Sequence, residues 1–433
     1  MEFISMLVSL AVLLVLGIPI SISLLLSGLL GYVLIIGFDP GLTALVQVAF
    51  SDVNSFVIIA IPLYIFMGQI MLKGESGRDL FDFAQRVAGK LPGGLAIAAI
   101  LASAIFAAIS GSSTATAATV GSISIPEMLK RGYDRKMAAG SVAVAGTLGI
   151  LIPPSISFIL YSLVTNASVG KLFLAGILPG IMLAVLFALY TVFDAMRKPM
   201  PHAHAADGSR APADKPPFTW GMLGSLLMIP IVLGGIYLGW FTPTEAAAVG
   251  VAYAMILTML IKRTLGLGGL WQAMRDSVVT SAMILMLIAG ASMFGNTLSL
   301  LQVPQDVAAW LDTLHLNAWQ FMIAINLLYL VLGMFMDASA AILVTVPILL
   351  PALTALNIDL IWFGVILVIN MEIGAVTPPV GMNLFVVKAL RSDYTLTEVL
   401  VGSLPYAFMG LLGLALVVIF PDIALLLPSM SSH

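Results

Sequence analysis

Glu372-Ile373-Gly374-Ala375-Val376-Thr377-Pro378-Pro379-Val380-Gly381-Met382-Asn383 places two consecutive prolines inside a mostly apolar run, 358–387. A second stretch repeats the arrangement: Gly146-Thr147-Leu148-Gly149-Ile150-Leu151-Ile152-Pro153-Pro154-Ser155. Paired prolines remove two backbone donors and push the preceding residue out of the α region, so each run predicts a helix broken at its centre. A break inside an apolar helix frees carbonyl oxygens suited to a hard cation such as Na⁺. The positive end of the second half-helix can face an anion. One such site reads equally well as a simple proline kink; two at matched positions favour a binding role.

The surrounding composition places these breaks in a membrane. Of 433 residues, 61% are hydrophobic and 9% charged, against about 25% charged in soluble domains. Mean hydropathy is +1.11, and apolar runs near 20 residues recur, which predicts an all-α polytopic membrane protein. A net charge of −3 without a basic stripe argues against nucleic-acid binding. The absence of cysteine excludes disulfide frameworks and thiolate chemistry. No Walker A, Gly-x-Ser-x-Gly or His-Glu-x-x-His motif occurs, so no ATPase, hydrolase or other enzyme is expected. Met1-Glu2 precedes no basic n-region, so the first apolar stretch reads as a span and not a cleaved signal.

The chain is written twice. Pro153-Pro154 returns as Pro378-Pro379 at an offset of 225 residues, Pro126 as Pro351, and Asp134 as Asp359; Pro19 and Pro243 lie 224 apart, Pro179 and Pro405 226. This is an internal repeat, read as 1–196 and 220–433 around a polar, proline-rich cytoplasmic linker, 197–219. His202 and His204 in that linker have no thiol partner, and a solvated linker argues against a metal site. Lys and Arg cluster in 73–90, 130–136, 197–215, 262–263 and 388–391, while 37–55, 240–244, 302–318 and 353–360 contain none. The positive-inside rule therefore puts the first set in the cytoplasm and the second outside, with both termini outside. Spans near 4–17, 20–36 and 56–72 then bring the chain inside. Segment 94–127 starts and ends beside basic loops and predicts a re-entrant hairpin; 319–352 predicts its counterpart from the opposite face. The expected fold is two inverted repeats, each of about five spans, one hairpin and one Pro-Pro broken helix (138–165 and 360–390). Amphipathic stretches 79–87 and 306–314 suit helices along the bilayer surface, and Trp240, Trp271, Trp310 and Trp319 suit interfacial anchors.

The hairpin turns hold the polar exceptions. The first is Ser110-Gly111-Ser112-Ser113-Thr114-Ala115-Thr116; the second is Met336-Asp337-Ala338-Ser339-Ala340. Small hydroxyl residues at membrane depth serve either close helix packing or a buried ion and substrate site. Asp337 has the chemistry to coordinate a cation, cap the following arm or bond nearby backbone. Glu372 reads as a proton or cation site, or as a salt-bridge partner for a basic residue elsewhere.

Taken in this order, Gly111-Ser112-Ser113-Thr114-Ala115, Ile152-Pro153-Pro154-Ser155 and Thr377-Pro378-Pro379-Val380-Gly381 resemble the large membrane subunit of tripartite ATP-independent periplasmic (TRAP) transporters, the DctM-like family; Ile61-Pro62-Leu63-Tyr64-Ile65-Phe66-Met67-Gly68 extends the resemblance. It implies a Na⁺-coupled, elevator-type importer of a small carboxylate (a C4-dicarboxylate, sugar acid or keto acid) in a bacterial inner membrane. Implied partners are membrane lipid, a small four-helix membrane subunit and a periplasmic substrate-binding protein. The small subunit is expected as a separate chain, because this one begins at the large subunit's first span. Carried over by position, one Na⁺ site would use Ser112 and Ser113 with carbonyls near Gly146 and Gly149. The other would use Asp337, Ala338 and Ser339 with carbonyls near Gly374 and Thr377. Substrate would sit near Ser113, Thr114, Ser155, Thr377 and Asn383. The scaffold would be mainly 4–72 and 220–301, the transport domain mainly 94–196 and 319–420. A stand-alone H⁺- or Na⁺-coupled organic-anion transporter and a non-transporting or channel-like membrane protein stay open as alternatives.

Overall fold

All regular structure among the described residues is helical, as hydrocarbon demands, because a helix satisfies its backbone groups internally. The computed structural model describes residues 1–197, 216–314 and 317–430, apart from the side chains at 52, 53, 311 and 312. Most of the expected linker 197–219, with His202 and His204, lies outside them. Eight described helices are long and apolar enough to cross a membrane, and a ninth span arises if the pair Arg135–Leu151 and Ile156–Thr165, bent by 40°, is counted as one.

The first copy runs Glu2–Val15, Ile20–Ile36, Phe38–Val53, a 3-10 turn Phe56–Ile59 leading into Ala60–Lys73, and the short amphipathic Ser76–Ala88. A hairpin follows (Gly94–Ser110, Ser113–Lys130), then the broken helix Arg135–Leu151 and Ile156–Thr165, then Val169–Arg197. The second copy runs Trp220–Tyr237, Pro243–Met255 with its π-helical extension Ile256–Ile261, Leu267–Leu300 and Val303–Thr313. Its hairpin is Ala318–Phe335 and Ala338–Ala355, its broken helix Leu360–Gly374 and Met382–Ala389, followed by Leu396–Ile419 and Asp422–Met430. Both Pro-Pro bonds, Pro153-Pro154 and Pro378-Pro379, are cis.

One expected external segment, 37–55, is in fact the helix Phe38–Val53. Its repeat mate is the start of the unbroken 34-residue helix Leu267–Leu300. In the first copy Asn54 and Ser55, both turn formers, interrupt what the second copy leaves continuous.

Contacts between the two copies show the inversion. At the basic end Lys73 pairs with Asp276 (2.8 Å), Lys262 with Asp79 (2.5 Å) and Arg135 with Asp393 (3.0 Å). At the other end the Tyr64 hydroxyl donates to the Pro243 carbonyl (2.8 Å) and the Tyr161 hydroxyl to the Leu360 carbonyl (2.6 Å). The equivalent N-caps Asp134 and Asp359 thus fall at opposite ends: Asp134 accepts from Met137 N beside the basic loops, Asp359 from Ile361 N and Trp362 N beside Tyr161.

Small residues let the helices close on one another, as is usual where lipid supplies no hydrophobic drive between helices. A Cβ on Gly140 would lie 2.1 Å from the Gly402 backbone, locking the first broken helix to Leu396–Ile419. Gly290 against the Ser21 carbonyl (2.3 Å) does the same for Leu267–Leu300 and Ile20–Ile36. Trp240, Trp271, Trp310 and Trp319 are all exposed.

Candidate substrate and cation sites at the hairpin tips

The first tip is built by a left-handed residue. Gly111 closes Gly94–Ser110 at φ +59°, and a side chain there would strike the Pro154 carbonyl at 2.9 Å. The turn therefore needs glycine for conformation and for close approach. Ser112 then caps the second arm by accepting from Ala115 N (3.4 Å), and its carbonyl receives the Thr116 hydroxyl (2.7 Å). Thr116 also meets the Ser110 hydroxyl at 2.7 Å. Gly149 of the broken helix lies against the Ser112 carbonyl, and Gly146 against Ala117 and the Ser113 carbonyl.

The second tip mirrors this with a carboxylate. Asp337 caps Ala338–Ala355 through Ser339 N, 2.8 Å from Oδ2. Gly374 packs on Gly333 with no room for a Cβ (2.4 Å to the Gly333 backbone). Gly381 N donates to the Met334 carbonyl (3.2 Å), stitching the break to the hairpin.

Between the tips runs a hydrogen-bonded chain crossing the two repeats. Asn383 Nδ2 donates to Ser113 Oγ (2.7 Å), and Ser113 Oγ donates to Glu372 Oε2 (2.7 Å). All three residues are buried. They border a cavity of about 30 Å³ together with Ser112, Thr114, Asp337, Ala338 and hydrophobic neighbours. That volume suits a water or two, or a bare cation, and no organic acid. A far larger cavity of about 1350 Å³ meets the same tips from the side, reaching Ser110, Gly111, Ser112, Thr114, Asp337 and Ser339. It is also lined by Pro19–Ile22, by Ile65, Gly68, Gln69 and Leu72, and by residues within 278–287, close in sequence to the basic-end pair Lys73 and Asp276. No Lys or Arg lines either cavity among the described residues. A third cavity of about 880 Å³, at the opposite end near Ser55, Asn166 and Thr244, does not reach the tips.

The structure thus gathers Ser112, Ser113, Thr114, Asp337, Ala338 and Asn383 at one place and puts Ser339 on the larger cavity beside them. Gly146, Gly149 and Gly374 pack the tips without lining the ion-sized cavity. Two expected substrate residues are engaged otherwise. Ser155 is buried and caps Ile156–Thr165 by accepting from Phe158 N (3.3 Å), and the Thr377 hydroxyl donates to the Ile373 carbonyl (2.6 Å). Neither lines the two cavities at the tips. Glu372, undecided in sequence, proves to be bonded to a hairpin 259 residues away; only its isolation in an apolar run signalled it.

A family model described as "Tripartite ATP-independent periplasmic transporter, DctM component" matches residues 7–423. The chain is 40% identical to the C4-dicarboxylate TRAP transporter large permease protein DctM of Pseudomonas aeruginosa, covering 93% of each. It is 38% identical to the isethionate TRAP transporter permease protein DctMQ of Oleidesulfovibrio alaskensis, over 88% of this chain and 59% of that protein. Among solved structures, the Alcanivorax borkumensis YdaH transporter superposes with a TM-score of 0.60 at 17% identity, covering 90% of this chain and 88% of that one. At that identity the likeness speaks for the fold alone.

Proposed function

This chain belongs to the DctM family of TRAP transporters, and on that premise we propose that it imports a small organic anion by Na⁺-coupled elevator transport. As a large permease subunit it is a multi-pass membrane protein and not an enzyme. The family implies a small membrane subunit, a periplasmic binding protein and a bacterial inner membrane. The finer reading is ours. The observation that carries it is the meeting of two inverted hairpin tips, Ser112–Thr114 and Asp337–Ser339, at an ion-sized cavity beside an acid-sized one.

Na⁺ binds at each tip: at Ser112 and Ser113 with carbonyls near Gly146 and Gly149, and at Asp337, Ala338 and Ser339 with carbonyls near Gly374 and Thr377. The anion binds in the larger cavity against Thr114 and its neighbours, where hydroxyls, helix N-termini and bound Na⁺ replace basic side chains. C4-dicarboxylates and isethionate, for which the two relatives are named, are the first substrates to try. Residues 94–196 and 319–420 move as the transport domain against a scaffold of 4–72 and 220–301. Asp79 bonded to Lys262 and to Ser225 ties Ser76–Ala88 to that scaffold, as an arm requires. Both termini are periplasmic.

Reconstitution with the small subunit and binding protein in proteoliposomes tests this. Uptake of the anion should require an inward Na⁺ gradient. Undiminished uptake in Na⁺-free buffer under a proton gradient would refute Na⁺ coupling. Uptake independent of the binding protein would point to a stand-alone carrier.

A further inference from the structure

The offset of 225 residues maps Ser112 onto Asp337 and Thr147 onto Glu372. At both positions the second repeat carries a carboxyl group where the first carries a hydroxyl. Both carboxyl groups border the 30 Å³ cavity, and no basic residue borders it among the described residues. A charge held in a low-dielectric interior needs a counter-charge close by, and Glu372 has Ser113 alone as a hydrogen-bond partner among the described residues.

A second observation comes from Asn383, which lines the same cavity and is 0% exposed. Its amide group donates to Ser113 Oγ (2.7 Å) and to the Ala143 carbonyl (3.3 Å). Because a carbonyl can only accept, the amide cannot be turned the other way. Its Oδ1 is then a buried acceptor with no hydrogen-bond donor. A buried acceptor without a donor is open to a cation or a water, and of the described atoms of this kind Asn383 Oδ1 is the one whose residue lines this cavity.

We propose that Glu372, Asn383 Oδ1 and Asp337 form a further Na⁺ site that bridges the two repeats and shares Asp337 with the paired site at the second break. It rests on the Na⁺-coupled reading above and deepens it. The ligands are all oxygens, as a hard cation requires, and Ser113 holds Glu372 in place from the first hairpin. The ion would join the two tips electrostatically, so that one hairpin senses the occupancy of the other.

The test is ²²Na⁺ binding to the full-length chain co-purified with its small subunit in nanodiscs, at constant ionic strength with choline. Glu372→Gln keeps the shape of the side chain and its bond to Ser113 but removes the charge. The bound Na⁺ at saturation should fall by one ion per chain, and the remaining ions should bind more weakly because the coupling between the tips is lost. Glu372→Asp should keep the ion count, with half-saturation moved to higher Na⁺, and decides the matter should the Gln variant fail to fold. An unchanged count and unchanged half-saturation in both variants would overturn this site while leaving the paired sites standing. A wild type that binds no ²²Na⁺ would overturn the whole Na⁺ reading.

Discussion

Gly149→Ala tests whether the first hairpin tip is an ion site held open by the absence of a side chain. The added methyl would sit 2.5 Å from the Ser112 carbonyl oxygen and 2.7 Å from Thr116 Oγ1. The first distance falls about 0.9 Å short of the 3.4 Å at which ordinary contact begins. The obstacle is backbone, so the tip itself must shift. Alanine gains up to about 1 kcal/mol of helix propensity over glycine, while overpacking costs about 1–3 kcal/mol. Global stability should therefore fall by about 3 kcal/mol at most. The local effect is larger in consequence, since a carbonyl displaced by several tenths of an ångström no longer fits a cation. Half-saturation by Na⁺, read from NaCl-dependent thermal stabilisation at fixed ionic strength, should rise by roughly tenfold or more, equivalent to about 1.4 kcal/mol. Gly374→Ala should do the same from the other repeat, its Cβ meeting the Gly333 backbone at 2.4 Å. Gly234→Ala, which faces open space, is the control and should leave Na⁺ dependence untouched. A folded Gly149→Ala protein with wild-type Na⁺ dependence would refute the assignment of Ser112 and Gly149 to an ion site.

Asp337→Asn separates capping from ion binding: asparagine caps about as well, so stability should change by less than about 0.5 kcal/mol, while Na⁺ half-saturation rises; an unchanged Na⁺ response would leave Asp337 as a cap alone. Ser155→Ala should lower stability by about 1 kcal/mol through the lost bond to Phe158 N and leave the apparent affinity for the anion unaltered; weaker uptake at wild-type stability would instead make Ser155 a substrate ligand. At the basic end, hydrogen bonds from Arg391 and Arg135 hold the Asp393 carboxyl well below the usual carboxylate range. A depressed folded value means the contribution is complete above the unfolded value near about pH 4 and is lost as pH falls through the folded one. Asp393→Asn should thus lower the melting temperature by a constant amount between pH 6 and 8, the two curves converging in strong acid; a difference that changes between pH 6 and 8 would contradict this.

What could be read from the sequence was whatever the bilayer forbids. Prolines in pairs, hydroxyls in a row and carboxylates in apolar runs are costly at membrane depth, so each stood out, and the offset of 225 residues sorted them into two copies. The hairpins came within a few residues of their observed limits, 94–127 against Gly94–Lys130 and 319–352 against Ala318–Ala355. Phe38–Val53 escaped because its apolar positions Phe38, Leu42, Val46 and Phe50 form a narrow exposed stripe on a helix of mixed polarity. Ser155 and Thr377 have local backbone partners that the sequence did not show. The Ser155 hydroxyl caps a helix start that the break creates, and the Thr377 hydroxyl shares the Ile373 carbonyl with Val376 N. The link from Glu372 through Ser113 to Asn383 joins residues 259 and 270 positions apart, which no local pattern encodes.

The fold is nearly symmetric and its chemistry is not, and that difference bears on coupling. Symmetry brings equivalent tips together, so that a structure inverted about its centre can open to either side around one site. Yet the second tip and the second broken helix carry Asp337 and Glu372 where the first copy has Ser112 and Thr147. Moving this site through the bilayer with its carboxylates bare, or with an organic anion added to them, would carry uncompensated charge into low dielectric. No Lys or Arg lines either cavity among the described residues to cancel it. Under the proposed Na⁺ coupling, mobile cations do so, entering with the substrate and leaving with it. Each ion and the anion favour one another's binding by the same factor. On that reading a Lys on the moving wall of the larger cavity, for example Val386→Lys, should weaken the dependence of uptake on Na⁺.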